Sequence, residues 1–168
     1  MSSYLINNHL ETERLMIRPI STSDHDFILE LTNTDGWLAF IGDRNIKNSK
    51  DAENYIQKIL QNENYFYNVL MLKTSNQAIG IITFLKRDTQ QYPDFGFALL
   101  PSYEKQGFAY EASTAYLDHL INANSDLTII GITKPENTKS INLLTKLGFI
   151  FETNQINELG ETLSVYKR

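Results

Sequence analysis

The chain of 168 residues contains no cysteine. Disulfides, zinc sites built from thiolates and a cysteine nucleophile are therefore excluded. Its 15 basic and 20 acidic residues give a net charge of −5, whereas a nucleic-acid-binding face needs a basic surface. The sequence has no apolar run near the roughly 18 residues of a membrane-spanning helix, and its N-terminus does not read as a signal peptide. We expect a cytoplasmic protein that binds neither nucleic acid nor membranes.

Proline is scarce as well, with four residues, and no proline-rich linker, repeat or low-complexity tract divides the sequence. The length fits one domain, which can bury roughly 70% of its unfolded surface. We therefore predict a single domain over residues 1–168. The three histidines, His9, His25 and His119, are widely separated, and the carboxylates show no ligand spacing. We predict no catalytic metal.

Strand-like and helix-like segments alternate along the chain. The first strand is predicted at 15–18, and a helix follows Ser23. Ser49 is predicted to cap a second helix, because apolar residues recur behind it at helical spacing. Further strands are predicted at 68–72, 79–85, 94–100, 127–133, 149–152 and 162–166, and further helices at 107–122 and from Asn137 to Gly148. This alternation indicates an α/β protein with a mixed sheet flanked by helices.

One stretch has the form of an anion-binding loop. The apolar run 95–100 ends at Pro101, and Gly107 stands at the start of a helix. Free backbone N–H groups and the positive end of a helix dipole converge at such a point on a phosphate or pyrophosphate. The alternative is a turn glycine that opens an ordinary amphipathic helix.

A second stretch lies about thirty residues further on. It reads Asn137-Thr138-Lys139-Ser140 and leads into Leu144-Thr145-Lys146-Leu147-Gly148-Phe149. Asn137 is well placed to cap the helix, with Ser140 as a polar residue of its first turn. Taken by themselves, these residues leave open whether they serve the helix or a ligand.

The order and spacing of the two stretches resemble the GNAT N-acetyltransferase superfamily. Its acyl-CoA loop reads Gln/Arg-x-x-Gly-x-Gly/Ala, and its later helix carries Asn-x-x-Ser with a Lys-Leu-Gly-Phe-like ending. Gly107 and Ala109 match the two small positions of the loop. Residues 10–19 and 101–112 are similar to the ribosomal-protein-alanine N-acetyltransferase-like branch, and residues 40–44 and 51–56 to a bacterial subgroup.

This resemblance implies a fold and an activity. The fold would be a mixed, mostly antiparallel sheet flanked by helices, with acyl-CoA held where two central strands splay apart. The activity would be direct acetyl transfer from acetyl-CoA to an amine in a ternary complex. The acceptor would be a peptide or protein N-terminal amine or a small amine, and the protein a monomer or homodimer. Two alternatives stand: an acyltransferase for another small amine or antibiotic, and an acyl-CoA sensor without turnover.

The resemblance also implies where the cofactor lies. The backbone N–H of Phe97 would face the thioester carbonyl, and Leu99 would meet the pantetheine arm, with Ala98 between them. Asn137 would bond the pantetheine amide, and Ser140 would lie near the cofactor. The pyrophosphate would be surrounded by the loop residues Glu104, Lys105, Gln106, Gly107, Phe108, Ala109 and Tyr110.

Two positions depart from the family pattern. Glu104 stands where Gln or Arg is common, and we expect it to turn to solvent, with Lys105 partly offsetting its charge. Leu144 stands where many members have a tyrosine that protonates the departing thiolate. Ser140 or water is then the candidate acid. Asp94 is the nearest candidate base, with a water relay from Asp94 or Glu111 as the route, while a solvated residue at a strand start is the alternative.

The acceptor is expected near the connection between the first two helices, which commonly borders the acceptor pocket in this superfamily. Trp37, Phe40 and Arg44 are the candidate substrate-binding residues, with Asp43 beside them. The alternative is a packed loop that carries a local Asp43–Arg44 pair.

Overall fold

The computed structural model describes residues 4, 6 and 9–168. Along this part of the chain there are eight strands and five α-helices. The strands are β1 (Leu10–Glu11), β2 (Leu15–Pro19), β3 (Tyr65–Leu72), β4 (Gln77–Leu85), β5 (Asp94–Leu99), β6 (Ile130–Thr133), β7 (Ile150–Ile156) and β8 (Thr162–Lys167). The helices are α1 (His25–Thr32), α2 (Asp35–Phe40), α3 (Ser49–Leu60), α4 (Phe108–Ala123) and α5 (Thr138–Lys146).

All eight strands belong to one sheet, in the order β1-β2-β3-β4-β5-β6-β8-β7. Every neighbouring pair is antiparallel except β5 and β6, which run parallel. The expected mixed, mostly antiparallel sheet flanked by helices is confirmed.

Each face of the sheet has its own hydrophobic core, because strand side chains alternate between the two faces. On one face α4 and α5 cover a cluster that includes Phe95, Tyr116 and Leu144. On the other face α1, α2 and α3 cover a cluster that includes Ile56 and Val69. The central strands are thus buried on both sides, and the places where the helices leave gaps become the candidate sites.

Most predicted elements are confirmed, but one cap differs. Asn48, not Ser49, caps α3, with its side chain accepting from the Asp51 N–H at 2.9 Å. The helix predicted after Ser23 is confirmed as α1. A 3₁₀ turn (Thr22–Asp24) precedes it, in which the Ser21 N–H donates to the Asp24 carboxylate at 2.9 Å.

The end of α5 matches the prediction closely. Gly148 follows the helix with a φ of +88°, the left-handed conformation that glycine adopts without strain. The Phe149 N–H donates to the Leu144 carbonyl at 3.0 Å, and the Gly148 N–H to the Thr145 carbonyl at 3.0 Å. This closure directs the chain from α5 back into the sheet at β7.

Candidate functional site

The parallel strands β5 and β6 touch at their beginnings and then separate. Their register has one bridge, Asp94 to Ile130, and the Ile130 N–H donates to the Pro93 carbonyl at 3.0 Å. No further β5–β6 pairing follows among the described residues. The sheet therefore opens into a wedge-shaped gap toward the C-terminal ends of these strands, which is where α/β sheets bind ligands.

The backbone of β5 presents free polar groups to this gap. Leu100 donates its N–H to the Ile79 carbonyl of β4 at 2.8 Å, whereas the Pro93 carbonyl is bonded to β6. Because backbone groups alternate along a strand, Phe97 and Leu99 direct theirs away from β4 and into the gap. A ligand with amide groups can pair there as an additional strand.

The loop after β5 is shaped by two residues in the left-handed conformation. Lys105 has a φ of +61° and Gly107 a φ of +80°. The first hydrogen bond of α4 runs from the Glu111 N–H to the Gly107 carbonyl at 3.0 Å. The N–H groups of residues 108–110 thus have no acceptor within the helix, as an anion-binding helix start requires.

Arg14, from the turn before β2, holds this loop in place. Its Nη1 donates to the Gln106 carbonyl at 2.9 Å, and its guanidinium lies 4.2 Å from the centre of the Phe108 ring. Its Nε donates to the Glu111 carboxylate at 2.7 Å. Glu111 is thereby engaged in the framework of the loop, which leaves it a poor candidate for the proton relay.

The two stretches singled out in the sequence lie side by side. Lys139 of α5 donates to the Glu104 carboxylate at 2.6 Å, across the mouth of the gap. At the other end of α5, the Lys146 ammonium lies 4.1 Å from the centre of the Tyr110 ring. The expectation that Lys105 offsets Glu104 therefore needs correction, because Lys139 supplies the paired charge.

Asn137 caps α5 as the sequence indicates. Its side-chain oxygen accepts from the Ser140 N–H at 3.3 Å, so its amide nitrogen is left as a donor. Both residues follow β6, the strand on the other side of the gap from β5. The structure thus brings the predicted cofactor-binding residues of both stretches to one cleft.

Leu144 lies in the core and offers no proton donor. Its side chain is 1% exposed, and a Cβ built on Gly131 of β6 would meet its Cδ2 at 2.6 Å. The leucine therefore fills the space above a glycine in the neighbouring strand. Of the candidate acids, Ser140 is half-buried beside the gap.

Asp94 stands at the closed end of the gap, on the face covered by α3. Its carboxylate forms an ion pair with the Arg87 Nε at 2.8 Å, and its side chain is 9% exposed. Burial raises the pKa of Asp94, although Arg87 opposes the shift. It lies about 10 Å along the strand from Phe97, so it reaches the thioester position only through water.

A cavity of about 360 Å³ opens beside Asp94 on the same face of the sheet. Side chains from β3 and β4, from α3 and from the segments that follow α2, α3 and β4 form it. Its lining comprises Arg44, Tyr55, Lys58, Ile59, Asn62, Tyr65, Tyr67, Leu85 and Arg87.

Of the three predicted substrate-binding residues, only Arg44 lines this cavity. Trp37 is 5% exposed within the α1–α3 core, so its side chain packs as the alternative reading of that segment expected. Phe40 is 37% exposed at the end of α2. The expected Asp43–Arg44 pair is replaced by an Asp43–Lys47 pair at 3.6 Å.

The segment nevertheless borders the gap. Lys134, just beyond β6, donates to the Ala39 carbonyl of α2 at 3.0 Å and to Glu161 of the β7–β8 turn at 3.1 Å. Through these two contacts Lys134 connects α2 and the β7–β8 hairpin at the C-terminal end of β6. Sequence reasoning missed Lys134, Arg14 and Tyr67, because their partners lie on other elements, 27 residues away for Glu161, 97 for Glu111 and 12 for Tyr55.

The part of the chain that the structure describes contains no group of three or more His, Asp or Glu side chains placed to hold a metal ion. Within that same part, none of the helices is both long and apolar enough to cross a membrane.

Comparisons with known proteins agree with this geometry. Residues 14–150 match the family model described as the acetyltransferase (GNAT) domain. The chain is 26% identical over 140 residues to the uncharacterized N-acetyltransferase YnaD of Bacillus subtilis (strain 168), covering 83% of this chain and 81% of that protein.

Solved structures superpose over almost the whole length. A GNAT-family acetyltransferase from Bacillus anthracis gives a TM-score of 0.79 at 25% identity, covering 95% of this chain and 97% of that one. The ribosomal L7/L12 alpha-N-protein acetyltransferase RimL, in complex with coenzyme A, gives a TM-score of 0.83 at 14% identity, covering 96% and 97%. The chain belongs to the GNAT acetyltransferase family and is an N-acetyltransferase.

Proposed function

We propose that this protein transfers an acetyl group from acetyl-CoA directly to an amine held in the same complex. The observation that carries the proposal is the gap between β5 and β6, with the free backbone groups of Phe97 and Leu99 on one side. Acetyl-CoA-dependent acetylation of amines is general to the family, and a coenzyme A complex is named for the similar RimL structure.

The cofactor is placed by main-chain groups. The pantetheine arm extends along Ala98 and Leu99, and the pyrophosphate lies over the N–H groups of Gln106, Gly107 and residues 108–110. Glu104 contributes its backbone, and its carboxylate is neutralised by Lys139, whose ammonium is then close to the phosphates. Asn137 donates its free amide N–H to a pantetheine carbonyl.

The chemical step is addition of the neutral amine to the thioester carbon. The new C–N bond forms, the C–S bond breaks, the amine releases a proton, and the CoA thiolate takes one up. The Phe97 N–H stabilises the oxyanion that develops on the carbonyl, an effect of roughly 3 kcal/mol for one such donor in other enzymes. The thiolate, with a thiol pKa of about 8.5, leaves readily and receives its proton from Ser140 or water.

Asp94 accepts the amine proton through a relay of water molecules. Because this route is long, the enzyme suits an acceptor that is already partly neutral near pH 7. The α-amine at a peptide or protein N-terminus has a pKa near 8, compared with about 10.4 for a lysine side chain. We therefore place the acceptor among α-amines, either on a small molecule or at a peptide or protein N-terminus.

Acyl-CoA binding without turnover is a second candidate. The aliphatic Leu144 at the family's proton-donor position favours it. Acetyl-CoA consumption measured with and without a panel of amines separates the two functions. Amine-dependent release of free CoA, with an acetylated amine identified by mass spectrometry, supports the enzyme. Tight acetyl-CoA binding without any acetylated amine supports the sensor.

A further inference from the structure

We propose that the acceptor amine of this enzyme carries a carboxylate, which binds between Arg44 and Arg87 in the cavity beside Asp94. The inference rests on the proposed function and names the class of acceptor that the same site takes. It excludes polyamines and neutral amines as preferred substrates.

The charge of the cavity is opposite to the charge of the whole chain. Three cationic side chains line it, Arg44, Lys58 and Arg87, and its lining contains no carboxylate. The chain as a whole has a net charge of −5. A cationic lining in an acidic protein concentrates anions locally and repels polyamines.

Only one of these cations is neutralised. Arg87 is paired with Asp94 at 2.8 Å behind the cavity wall. Arg44 and Lys58 form no ion pair with any residue that the structure describes, while other basic residues of the same region do: Lys47 pairs with Asp43 and Lys50 with Glu53. The cavity therefore holds uncompensated positive charge, which a carboxylate would satisfy.

Both guanidinium groups act on the same side chain. Tyr67 lines the same cavity, and burial raises its pKa, whereas Arg44 and Arg87 oppose the shift. Its hydroxyl lies 3.4 Å from the Tyr55 hydroxyl. A carboxylate bound to the two arginines would thus also meet a neutral phenol that can donate a hydrogen bond.

The cavity adjoins the position expected for the thioester. Tyr67 lies opposite Thr83 of β4, and Thr83 lies opposite Gly96 of β5. Two strand spacings amount to about 10 Å. Gly96 immediately precedes Phe97, and the Thr83 hydroxyl occupies the space above it, 2.7 Å from where a Cβ would lie. An acceptor whose amine lies beside the Phe97 N–H and whose carboxylate lies at Tyr67 therefore carries the two groups about 10 Å apart.

The dimensions suit a small acceptor. A volume of about 360 Å³ lies near the lower end of small-molecule sites, which span about 300–1,000 Å³. Ile59, Leu85 and three tyrosines supply apolar wall for a side chain. A tripeptide with a free C-terminus carries its α-amine and its carboxylate about 10 Å apart, at roughly 3.3 Å per residue, whereas the two groups of a free amino acid lie within the length of one residue and cannot reach both places.

The test compares matched acceptors that differ in the charge of a group remote from the amine. Initial rates are measured with saturating acetyl-CoA for a set of tripeptides and their C-terminal amides, for free L-amino acids, and for spermidine. We expect the best tripeptide acid to exceed its own amide at least tenfold in kcat/KM, and its KM to rise with salt. Preferred use of spermidine, of the amides or of free amino acids would overturn the inference, while the acetyl transfer itself would stand.

Variants locate the carboxylate. Arg44→Gln should raise the KM for the acid about tenfold and leave kcat nearly unchanged, because the lost contact is remote from the reacting atoms. Lys58→Gln should have a smaller effect in the same direction. Lys50→Gln, which removes an equivalent charge from the same helix α3 outside the cavity, serves as the control and should change neither constant. Equal effects of Lys50→Gln and Arg44→Gln would overturn the assignment.

A binding measurement tests the carboxylate site independently of acetyl transfer. N-acetylated tripeptides are titrated into the wild-type protein by calorimetry, each against its C-terminal carboxamide. We expect the acid to bind more tightly, and Arg44→Gln to abolish the difference. If no amine is acetylated but this difference is seen, the proposed function fails and the anion site stands. If acid and amide bind equally, the anion site is refuted whether or not turnover occurs.

Discussion

Arg14 and Glu111, 97 residues apart in the chain, form an ion pair at 2.7 Å that ties the turn before β2 to the first turn of α4. The Arg14 backbone N–H also donates to the Glu111 carboxylate at 2.8 Å, as does the Thr12 hydroxyl at 2.5 Å. The Arg14 Nη1 donates to the Gln106 carbonyl at 2.9 Å. One carboxylate thus positions the arginine that holds the loop at Gly107.

The first prediction concerns this pair. Arg14→Gln and Glu111→Gln should each lower the free energy of unfolding, and a double-mutant cycle should give a coupling energy of about 1 kcal/mol. The value is modest because the Arg14 side chain is 41% exposed and solvent screens its charge. Either variant should also weaken acetyl-CoA binding severalfold, because the loop loses its support.

The exposed pair Lys50–Glu53 on α3 provides the control cycle. Its coupling should be below about 0.5 kcal/mol, with acetyl-CoA affinity unchanged. Equal coupling in both cycles would contradict a special role for Arg14.

The second prediction is a dependence of stability on acid pH. Burial disfavours the charged form of Glu111, but hydrogen bonds from Thr12 and Arg14 outweigh it and lower its pKa below the ordinary value of 4.5. The stabilisation is therefore present above about pH 4.5 and is lost as the pH falls through the lower pKa of the folded protein. Denaturant unfolding of wild type and Glu111→Gln should give curves that converge on acidification. A difference that stays constant from neutral pH to below pH 4 would show that the carboxylate charge is not involved.

The third prediction tests the loop glycine. Gly107→Glu should weaken acetyl-CoA binding at least tenfold, because a carboxylate enters the phosphate site and a Cβ would lie 3.3 Å from Arg14 Nη2. Gly160→Glu is the matched control, since Gly160 has a similar φ of +77° in the β7–β8 turn with nothing within 4 Å of its Cβ. Calorimetry should find the control near wild-type affinity. Similar losses in both variants would indicate general destabilisation, and unchanged affinity in a folded Gly107→Glu would reject the placement of the pyrophosphate.

The fourth prediction concerns the missing tyrosine. Leu144→Tyr should destabilise the fold by about 1–3 kcal/mol, because the leucine is buried against Gly131 and extra volume strains a filled core. Asn142→Tyr, at an exposed position of the same helix, should cost far less. We expect no gain in turnover from Leu144→Tyr. A folded variant with faster acetyl transfer would show that the site accepts a proton donor there.

Much of the fold could be predicted from local sequence patterns. The hydrophobic spacing of α3, the strand that ends before Pro101, the cap at Asn137 and the closure at Gly148 are all decided by neighbouring residues. Short elements escaped prediction. The helix α2 has only six residues, too few for an apolar stripe to repeat, and β1 has two.

The candidate site was predictable where it is built from contiguous backbone and not where it depends on distant partners. The loop at Gly107 was predicted from one stretch of sequence, whereas the gap beside Phe97 was expected from the resemblance to the GNAT superfamily, because it depends on how β5 and β6 diverge. The pairing of Lys139 with Glu104 and of Lys134 with Ala39 depends on how α5 and α2 pack. The positive cavity at Arg44 and Arg87 likewise arises only when β4 and the segment after α2 meet, so the overall negative charge gave no indication of it.

The central claim is that acetyl-CoA lies in the gap between β5 and β6 with its thioester at Phe97. A crystal structure with acetyl-CoA, or with a non-hydrolysable thioether analogue, tests it most directly. We predict a thioester oxygen about 3 Å from the Phe97 nitrogen, pantetheine paired with Leu99, and the pyrophosphate over residues 106–110. A cofactor bound elsewhere, or a bound cofactor with the Phe97 N–H turned away from its carbonyl, would contradict the account.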